Sequence, residues 1–338
     1  MVWTRDIVNV GLPASALALV ALDPDKASRL LTSLHLQNRI QIPTLRKALI
    51  IPVVLSLVKV VNRLLNAWAL NNWRSPPTKD WHWPSEVAVV TGGGGGIGKA
   101  IVLGLARRGV AVAVLDVADE PADLAALANV SYWQCDIASA PALAEAAAGI
   151  RATLGDPSIL VNNAATTAHG LPLLGTPRER IRRIFDVNIV AQFATLQEFL
   201  PAMVAADKGH VVTVSSMAAY IAAGVSLGYA ATKAGLVALH QGLQVEIRNV
   251  YKTPGVLSTI VHPMWVETGL TKARAAESEA KRKAMMQPEE VAEKVLDHVF
   301  GCRGGQIVLP ERVKWLMAIQ SFPNWVQEGF RDLALKLR

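Results

Sequence analysis

Five consecutive glycines interrupt this chain at Thr91-Gly-Gly-Gly-Gly-Gly-Ile-Gly98, directly behind the apolar run Val87 to Val90 and ahead of a helical pattern. A short, unbroken apolar run is how a strand buried on both faces reads, and such strands belong to parallel sheets covered by helices. Glycine permits the tight strand-to-helix turn and lets backbone N–H groups come close to a pyrophosphate at the helix N-terminus. Further apolar runs at Val110 to Leu115, Ile159 to Val161, Val211 to Val214 and Leu257 to Val261 supply later strands. The predicted fold class is α/β, a doubly wound parallel sheet of the Rossmann type forming a single catalytic domain.

A second stretch, Tyr229-Ala-Ala-Thr-Lys233, places a phenol and an ammonium four residues apart, on one face of a helix. A fixed positive charge nearby favours the phenolate, lowers its pKa and makes the tyrosine a usable acid or base. Each motif alone is weak, because a glycine turn can serve any nucleotide and Tyr-x-x-x-Lys is common on solvated helices. Together they imply hydride transfer at a carbinol or carbonyl carbon.

With these motifs in this order, the chain resembles the short-chain dehydrogenase/reductase family from roughly Glu86 to Leu309. The resemblance implies that Gly92, Gly96, Ile97 and Gly98 cradle a dinucleotide. Asp116 closes the second apolar run about 20 residues past the glycine turn, where a carboxylate accepts both ribose hydroxyls and repels a 2′-phosphate. Val117 and Ala118 offer no arginine to receive that phosphate, so NAD is expected over NADP. Cys135-Asp136-Ile137, ending a third strand-like segment, matches the family's adenine contact through Asp136 and Ile137. Asn163 falls in Asn162-Asn163-Ala164-Ala165, where the family usually has glycine at the last position. Asn188 matches a helix asparagine whose carbonyl helps hold a relay water.

Ser216 stands thirteen residues before Tyr229, the family's usual offset, and is assigned the substrate-orienting hydroxyl, with Ser215 as fallback. Tyr220 is a decoy, because Gly224 stands where its lysine would be. Pro263, Val266 and Thr268 keep the spacing of the family's nicotinamide-binding segment, although Met264 replaces a glycine. A membrane-associated branch, including retinol dehydrogenases and lipid-droplet 17-beta-hydroxysteroid dehydrogenases, often lacks that glycine too. His262 reads as a packing or hydrogen-bonding residue. The implied chemistry has Tyr229 exchanging the substrate proton, Ser216 holding the oxygen, Lys233 tuning the phenol and binding the nicotinamide ribose, and Asn188 sustaining a water chain. No Cys/His cluster has zinc spacing, so no metal is expected.

Composition changes sharply near Trp83. Residues 1–83 hold ten Lys/Arg against four Asp and no Glu, six of the chain's net +7, together with five of its nine tryptophans. Cations mixed with indoles suit a membrane–water interface. A nucleic-acid patch is the weaker alternative, because long apolar runs separate the charges and no nucleic-acid motif appears. Ile7 to Leu22 is uncharged but short for a span and interrupted by Gly11 and Pro13. Ala48 to Leu70 is long enough, yet Lys59, Asn62, Arg63 and Asn66 form a polar stripe that favours lying in the interface over spanning.

The expected layout is a hydrophobic, basic anchoring region at 1–83, a catalytic domain at 84–310 and an amphipathic tail at 311–338. The anchor is expected to be monotopic, with a bitopic arrangement as runner-up. Cys135 and Cys302, both within the domain, fit a reducing compartment without disulfides. The expected protein is a homodimer on endoplasmic reticulum or lipid droplets, its domain facing the cytosol, acting on a lipophilic alcohol or ketone such as a retinoid, steroid or long-chain lipid. A NAD-binding membrane scaffold without turnover is the alternative; a sugar-nucleotide epimerase would need a larger C-terminal domain than the length after Thr268 provides.

Overall fold

The computed structural model describes residues 14–34, 41–74, 80–168 and 170–336. They fall into two units, Met1–Ala69 and Leu70–Arg338. In the first, helix α1 (Pro24–Ser33) begins with proline behind Asp23, whose side chain accepts the Lys26 amide at 3.0 Å as an N-cap. Helix α2 (Ile42–Leu70) starts earlier than the sequence pattern indicated and runs unbroken for 29 residues through Pro52. None of its residues is buried, and it is long and apolar enough to cross a membrane. The reading of Ile7 to Leu22 lies partly outside the described residues; 14–22 are helical.

The second unit is built on seven strands: β1 (Val87–Thr91), β2 (Ala111–Asp116), β3 (Val130–Gln134), β4 (Ile159–Asn162), β5 (Gly209–Val214), β6 (Val256–Pro263) and β7 (Gly305–Leu309). All pair in parallel, in the order β3-β2-β1-β4-β5-β6-β7. Parallel strands need helical crossovers, and these cover both faces of the sheet. The crossovers are α3 (Gly96–Ala106), α4 (Ala140–Leu154), α5 (Arg178–Phe185) continuing into α6 (Ala191–Ala206), α7 (Leu227–Asn249) and α8 (Pro288–Phe300); α9 (Asn324–Lys336) follows the last strand.

Alternate side chains of each strand feed two cores. Val90, Val112 and Val212 pack with Leu105 of α3 and Val295 of α8, whereas Val89, Leu160 and Val211 pack with Ile150 of α4, Phe199 of α6 and Ile247 of α7. Each such side chain contributes about 1.5–3 kcal/mol by leaving water. The strand order reverses between β1 and β4, opening a crevice at the carboxyl ends, where ligands of such sheets bind. Cys135-Asp136-Ile137 follows β3 and does not end it. Cys135 still donates its amide to Asp116 at 2.8 Å, but the Asp136 carboxylate then accepts the Ala138 amide at 3.0 Å and turns the chain.

At the opposite, amino-terminal edge, Asn72 donates to the carbonyls of Pro254 and Val256 at 3.0 and 2.8 Å, and Asn71 accepts the Gly304 amide at 2.9 Å. These residues, ahead of the 83/84 boundary drawn from composition, are stitched into the second unit.

Candidate active site

The glycine turn leaves β1 with Gly92 and Gly96 in the left-handed region, at φ +65° and +52°, where side chains are disfavoured. A Cβ on Gly98 would stand 2.2 Å from the Gly92 carbonyl oxygen, so the start of α3 presses directly on the turn. A Cβ on Gly95 would meet nothing within 4 Å. Gly95 is also the N-cap of α3 and provides no side-chain acceptor, which leaves first-turn N–H groups open to an anion. Backbone donors at an uncapped helix start, beside an open loop apex, are the surroundings a pyrophosphate requires.

This turn forms one end of a cavity of about 470 Å³. Gly92, Gly96, Ile97, Asp116, Asp136, Ile137, Asn163, Pro263, Val266 and Thr268 line it, together with Ser216, Tyr229 and Lys233. Asn163 braces the turn, donating from Nδ2 to the carbonyls of Thr91 and Gly92 at 3.1 and 3.0 Å. The buried Thr91 hydroxyl accepts the amides of Asn163 and Ala164 at 3.0 and 3.1 Å. Asp116 accepts the Gly94 amide at 2.9 Å and the Ala118 amide at 3.1 Å. Arg183 grips Asp136 through two bonds of 2.8 and 3.0 Å, and this pairing holds the carboxyl below its usual range against the opposing effect of burial.

A second cavity of about 480 Å³ meets the first across a wall that includes Ser216 and Tyr229. Met264, Leu270 and Thr271 are also common to both. The Ser216 hydroxyl accepts the Ala218 amide at 3.1 Å. Ser215, the fallback, is buried and donates its hydroxyl to the Lys233 carbonyl at 2.9 Å, so it ties α7 to β5. Lys233 is buried as well, its Nζ donating to the Val214 carbonyl at 2.7 Å and lying 5.5 Å from the centroid of the Tyr229 ring.

The electrostatics differ from the sequence expectation. Burial lowers Lys233 to about 7, and desolvation lifts Tyr229 to about 12, with a hydrogen bond to Ser216 pulling the other way. A lysine so depressed carries only part of its charge near neutral pH, so it does not overcome the cost of desolvating a phenolate.

Two predicted residues stand outside the lining. Gly98 acts behind the turn, through the contact described above. Asn188 is buried within a π-turn at Asp186–Val190, its Oδ1 accepting the Thr166 amide at 2.7 Å and its Nδ2 donating to Thr166 and Thr232 at 2.9 and 3.1 Å. Its side chain therefore joins α7 to the segment after β4 and is fully engaged in doing so. His262 is buried, with Nε2 at 3.2 Å from Gln306 and 3.4 Å from the Tyr220 hydroxyl, so Tyr220 and His262 serve each other and not the cavities.

Thr91, Arg183, Thr166 and Gln306 were not singled out in the sequence. Thr91 heads the glycine motif and Arg183 belongs to the basic run Arg178-Glu-Arg-Ile-Arg-Arg183, both usable signals; Thr166 and Gln306 carry none. Of the tail, Leu316 and Ala334 line the second cavity.

Comparison with known proteins bears on the chain's family and fold. The sequence family described as short chain dehydrogenase matches residues 86–279. The dehydrogenase RED2 of Cochliobolus heterostrophus is 37% identical over 61% of this chain and 78% of its own. Human epidermal retinol dehydrogenase 2 is 29% identical over 70% of this chain and 78% of its own. Among solved structures, the 3-ketoacyl-(acyl-carrier-protein) reductase of Brucella melitensis, complexed with NADH, shares the fold at a TM-score of 0.59 and 20% identity, covering 68% of this chain and 98% of that one.

Proposed function

The chain belongs to the short-chain dehydrogenase family, and on that footing we propose that it is a membrane-associated, NAD-preferring oxidoreductase that interconverts a lipophilic alcohol and its carbonyl product. The observation that carries the reading is the shared wall: Ser216 and Tyr229 border both the glycine-lined cavity and the second cavity. A substrate oxygen in the second cavity meets both hydroxyls beside the dinucleotide.

NAD(H), when bound, supplies the acceptor or donor of the hydride. In the reductive direction the Tyr229 phenol, protonated at neutral pH, gives its proton to the substrate oxygen while Ser216 donates a hydrogen bond to that oxygen. In the oxidative direction the phenol must first lose its own proton before it takes the substrate's. Lys233, which lines the glycine-lined cavity, holds the nicotinamide ribose and passes the phenol's proton to a water held on the Asn188 carbonyl and so toward solvent. Gly92, Gly96 and Ile97 receive the pyrophosphate, Asp136 and Ile137 the adenine, and Pro263, Val266 and Thr268 the nicotinamide. Reduction uses the same groups in reverse.

NAD is favoured over NADP by the charge at the end of β2. Besides desolvation, Asp116, Glu120 and Asp119 drive the Tyr132 phenol up to about 12, and that concentration of carboxylates repels a 2′-phosphate. Met217, Ile221, Val225 and Trp265 make the second cavity largely apolar, which suits retinoids, steroids or long-chain lipids. Retinol and estradiol dehydrogenases among the relatives point the same way.

The unburied helix α2 supports membrane anchoring through residues 1–83, on endoplasmic reticulum or lipid droplets with the domain in the cytosol. A homodimer is supported by the apolar groove over α6 and α7, where Phe193 is half exposed beside Leu200 and Leu239.

The test is NAD(H)- and NADP(H)-linked turnover of membrane-bound protein on retinol, a steroid panel and long-chain alcohols, beside Tyr229→Phe. Turnover with NAD should fall by about 10²–10⁴-fold in the variant while NAD affinity is kept. Activity that survives the substitution removes Tyr229 from the chemistry. Tight NAD binding with no turnover on a broad carbonyl panel would favour a scaffold.

A further inference from the structure

Tyr220 stands four residues after Ser216 with no lysine to make it an acid or base, yet it holds the turn between them from behind. That turn is tightly wound. The Ala219 amide donates to the Ser216 carbonyl at 3.1 Å, and the amides of Tyr220 and Ile221 donate to the Met217 carbonyl at 3.0 and 3.2 Å. Ser216, Met217, Ala218 and Ile221 line the second cavity, whereas Tyr220 does not.

Tyr220 instead meets two residues of the sheet. Gln306 of β7 donates from Nε2 to the Tyr220 hydroxyl at 3.0 Å and to Nε2 of His262, on β6, at 3.2 Å. The hydroxyl lies 3.4 Å from the same imidazole nitrogen, and the two rings stand edge-on at 5.1 Å. An amide nitrogen only donates, so His262 Nε2 accepts and the ring's proton sits on Nδ1. Burial takes the imidazole down to about 4, with the Ser216 main chain opposing and the charge of Lys233 assisting, so the ring is neutral at pH 7. His240 of α7 also faces it and is lowered to about 4 by burial. The next residue on β6 reaches the turn as well, its Pro263 carbonyl accepting from the Ser216 hydroxyl at 3.5 Å.

His262 and Gln306 are held by the pairing of β6 with β7, in which His262 stands opposite Val308 and Gln306 opposite Ile260. Sheltering three polar side chains is costly unless their mutual bonds are kept, and a bonded network of this kind stiffens its members. The movable member is the turn that carries Ser216.

We propose that Tyr220, His262 and Gln306 form a strut that fixes the turn 216–221 to the sheet and so sets where the Ser216 hydroxyl stands. All three are positioning residues, since none lines either cavity. The effect on turnover rests on the proposed dehydrogenase reaction; the rigidity of the turn does not.

The experiment takes the full chain in detergent and compares Tyr220→Phe, which deletes one oxygen, with the unaltered protein. Amide hydrogen exchange read by mass spectrometry should quicken about five- to tenfold in 216–221 and stay unchanged in 229–245. On the best substrate of the retinol, steroid and long-chain alcohol panel, kcat should fall about tenfold while KM for NAD stays within about twofold. In a Ser216→Ala background, where no hydroxyl remains to be placed, the same substitution should change kcat less than about twofold. Gln306→Leu keeps both rings and should repeat these results, so they are read even where the first variant folds poorly.

Equal fold losses in both backgrounds overturn the proposal, because Tyr220 would then act by a route that bypasses Ser216. Exchange in 216–221 that neither substitution quickens overturns it too. Faster exchange there with no turnover by the unaltered protein upholds the strut and counts against the dehydrogenase reaction.

Discussion

Lys233→Met should make the protein more stable near neutral pH while abolishing its activity. Burial takes the lysine from its ordinary 10.5 to about 7. At about 1.36 kcal/mol per unit, that depression is a cost of about 5 kcal/mol on the charged form. The ammonium's bond to the Val214 carbonyl at 2.7 Å works against the gain from its removal. Leaving that buried acceptor unpaired costs about 1–3 kcal/mol, so the net stabilisation at pH 7 is about 2–4 kcal/mol.

The sign of the pH dependence follows from proton counting. Above pH 7 the unfolded chain still holds the lysine proton while the folded one has released it, so the wild-type protein gains stability as pH rises toward 10.5. The advantage of the methionine variant should therefore shrink by about 1.4 kcal/mol per pH unit and vanish two to three units above neutrality. Urea unfolding of both proteins across pH 6 to about 9.5, in the same detergent, isolates this one group, because every other titration is common to the pair. Parallel stability curves would refute the reasoning. So would a variant less stable by the same amount at every pH.

Asp116→Ala removes an acceptor from Gly94 and Ala118 as well as the charge at the end of β2. NAD affinity should fall about 10–100-fold while NADP gains relative to it, as titration with both would measure. An unchanged preference takes Asp116 out of that role. Gly98→Ala puts a methyl 2.2 Å from the Gly92 carbonyl and must displace the glycine turn. It should therefore weaken dinucleotide binding at least about tenfold by calorimetry, with retained affinity showing that the turn tolerates a shift. Deleting residues 1–69 spares Asn71 and Asn72, whose bonds hold β6 and β7, and should yield protein that no longer sediments with vesicles. Persistent sedimentation would place membrane binding outside residues 1–69.

Local chemistry was legible in the sequence, and long-range satisfaction was not. The glycine turn, the β-branched runs and the Tyr229–Lys233 spacing each act through neighbours in the chain, so strands and motifs emerge from composition and period alone. Predicted Val110 to Leu115 and observed Ala111–Asp116 differ by one residue at each end. The partners of buried polar groups are set by the sheet order. Nothing near Asn188 indicates that its amide would bind Thr166 and Thr232, and nothing near Thr91 announces its role under Asn163. The tyrosine's electrostatics failed for a related reason: spacing reveals that Lys233 is close, but not that burial weakens the charge it was expected to lend.

The π-turn at Asp186–Val190 also bears on how this chain tolerates changes in its length. One helix-like path runs from Arg178 to Ala206, yet it buries Ile184 before the turn and Leu196, Phe199 and Met203 after it. Each α-helical residue advances the path by about 100°, and the wider turn resets the phase between the two halves. Losing a single residue there would swing one half around its axis, taking Phe199 out of its core or carrying Asn188 away from Thr166. Substitution is the milder insult at these positions; a change of register is the severe one, and it would reach the glycine-lined cavity directly through Val187 and indirectly through the bonds of Asn188 to Thr166 and Thr232.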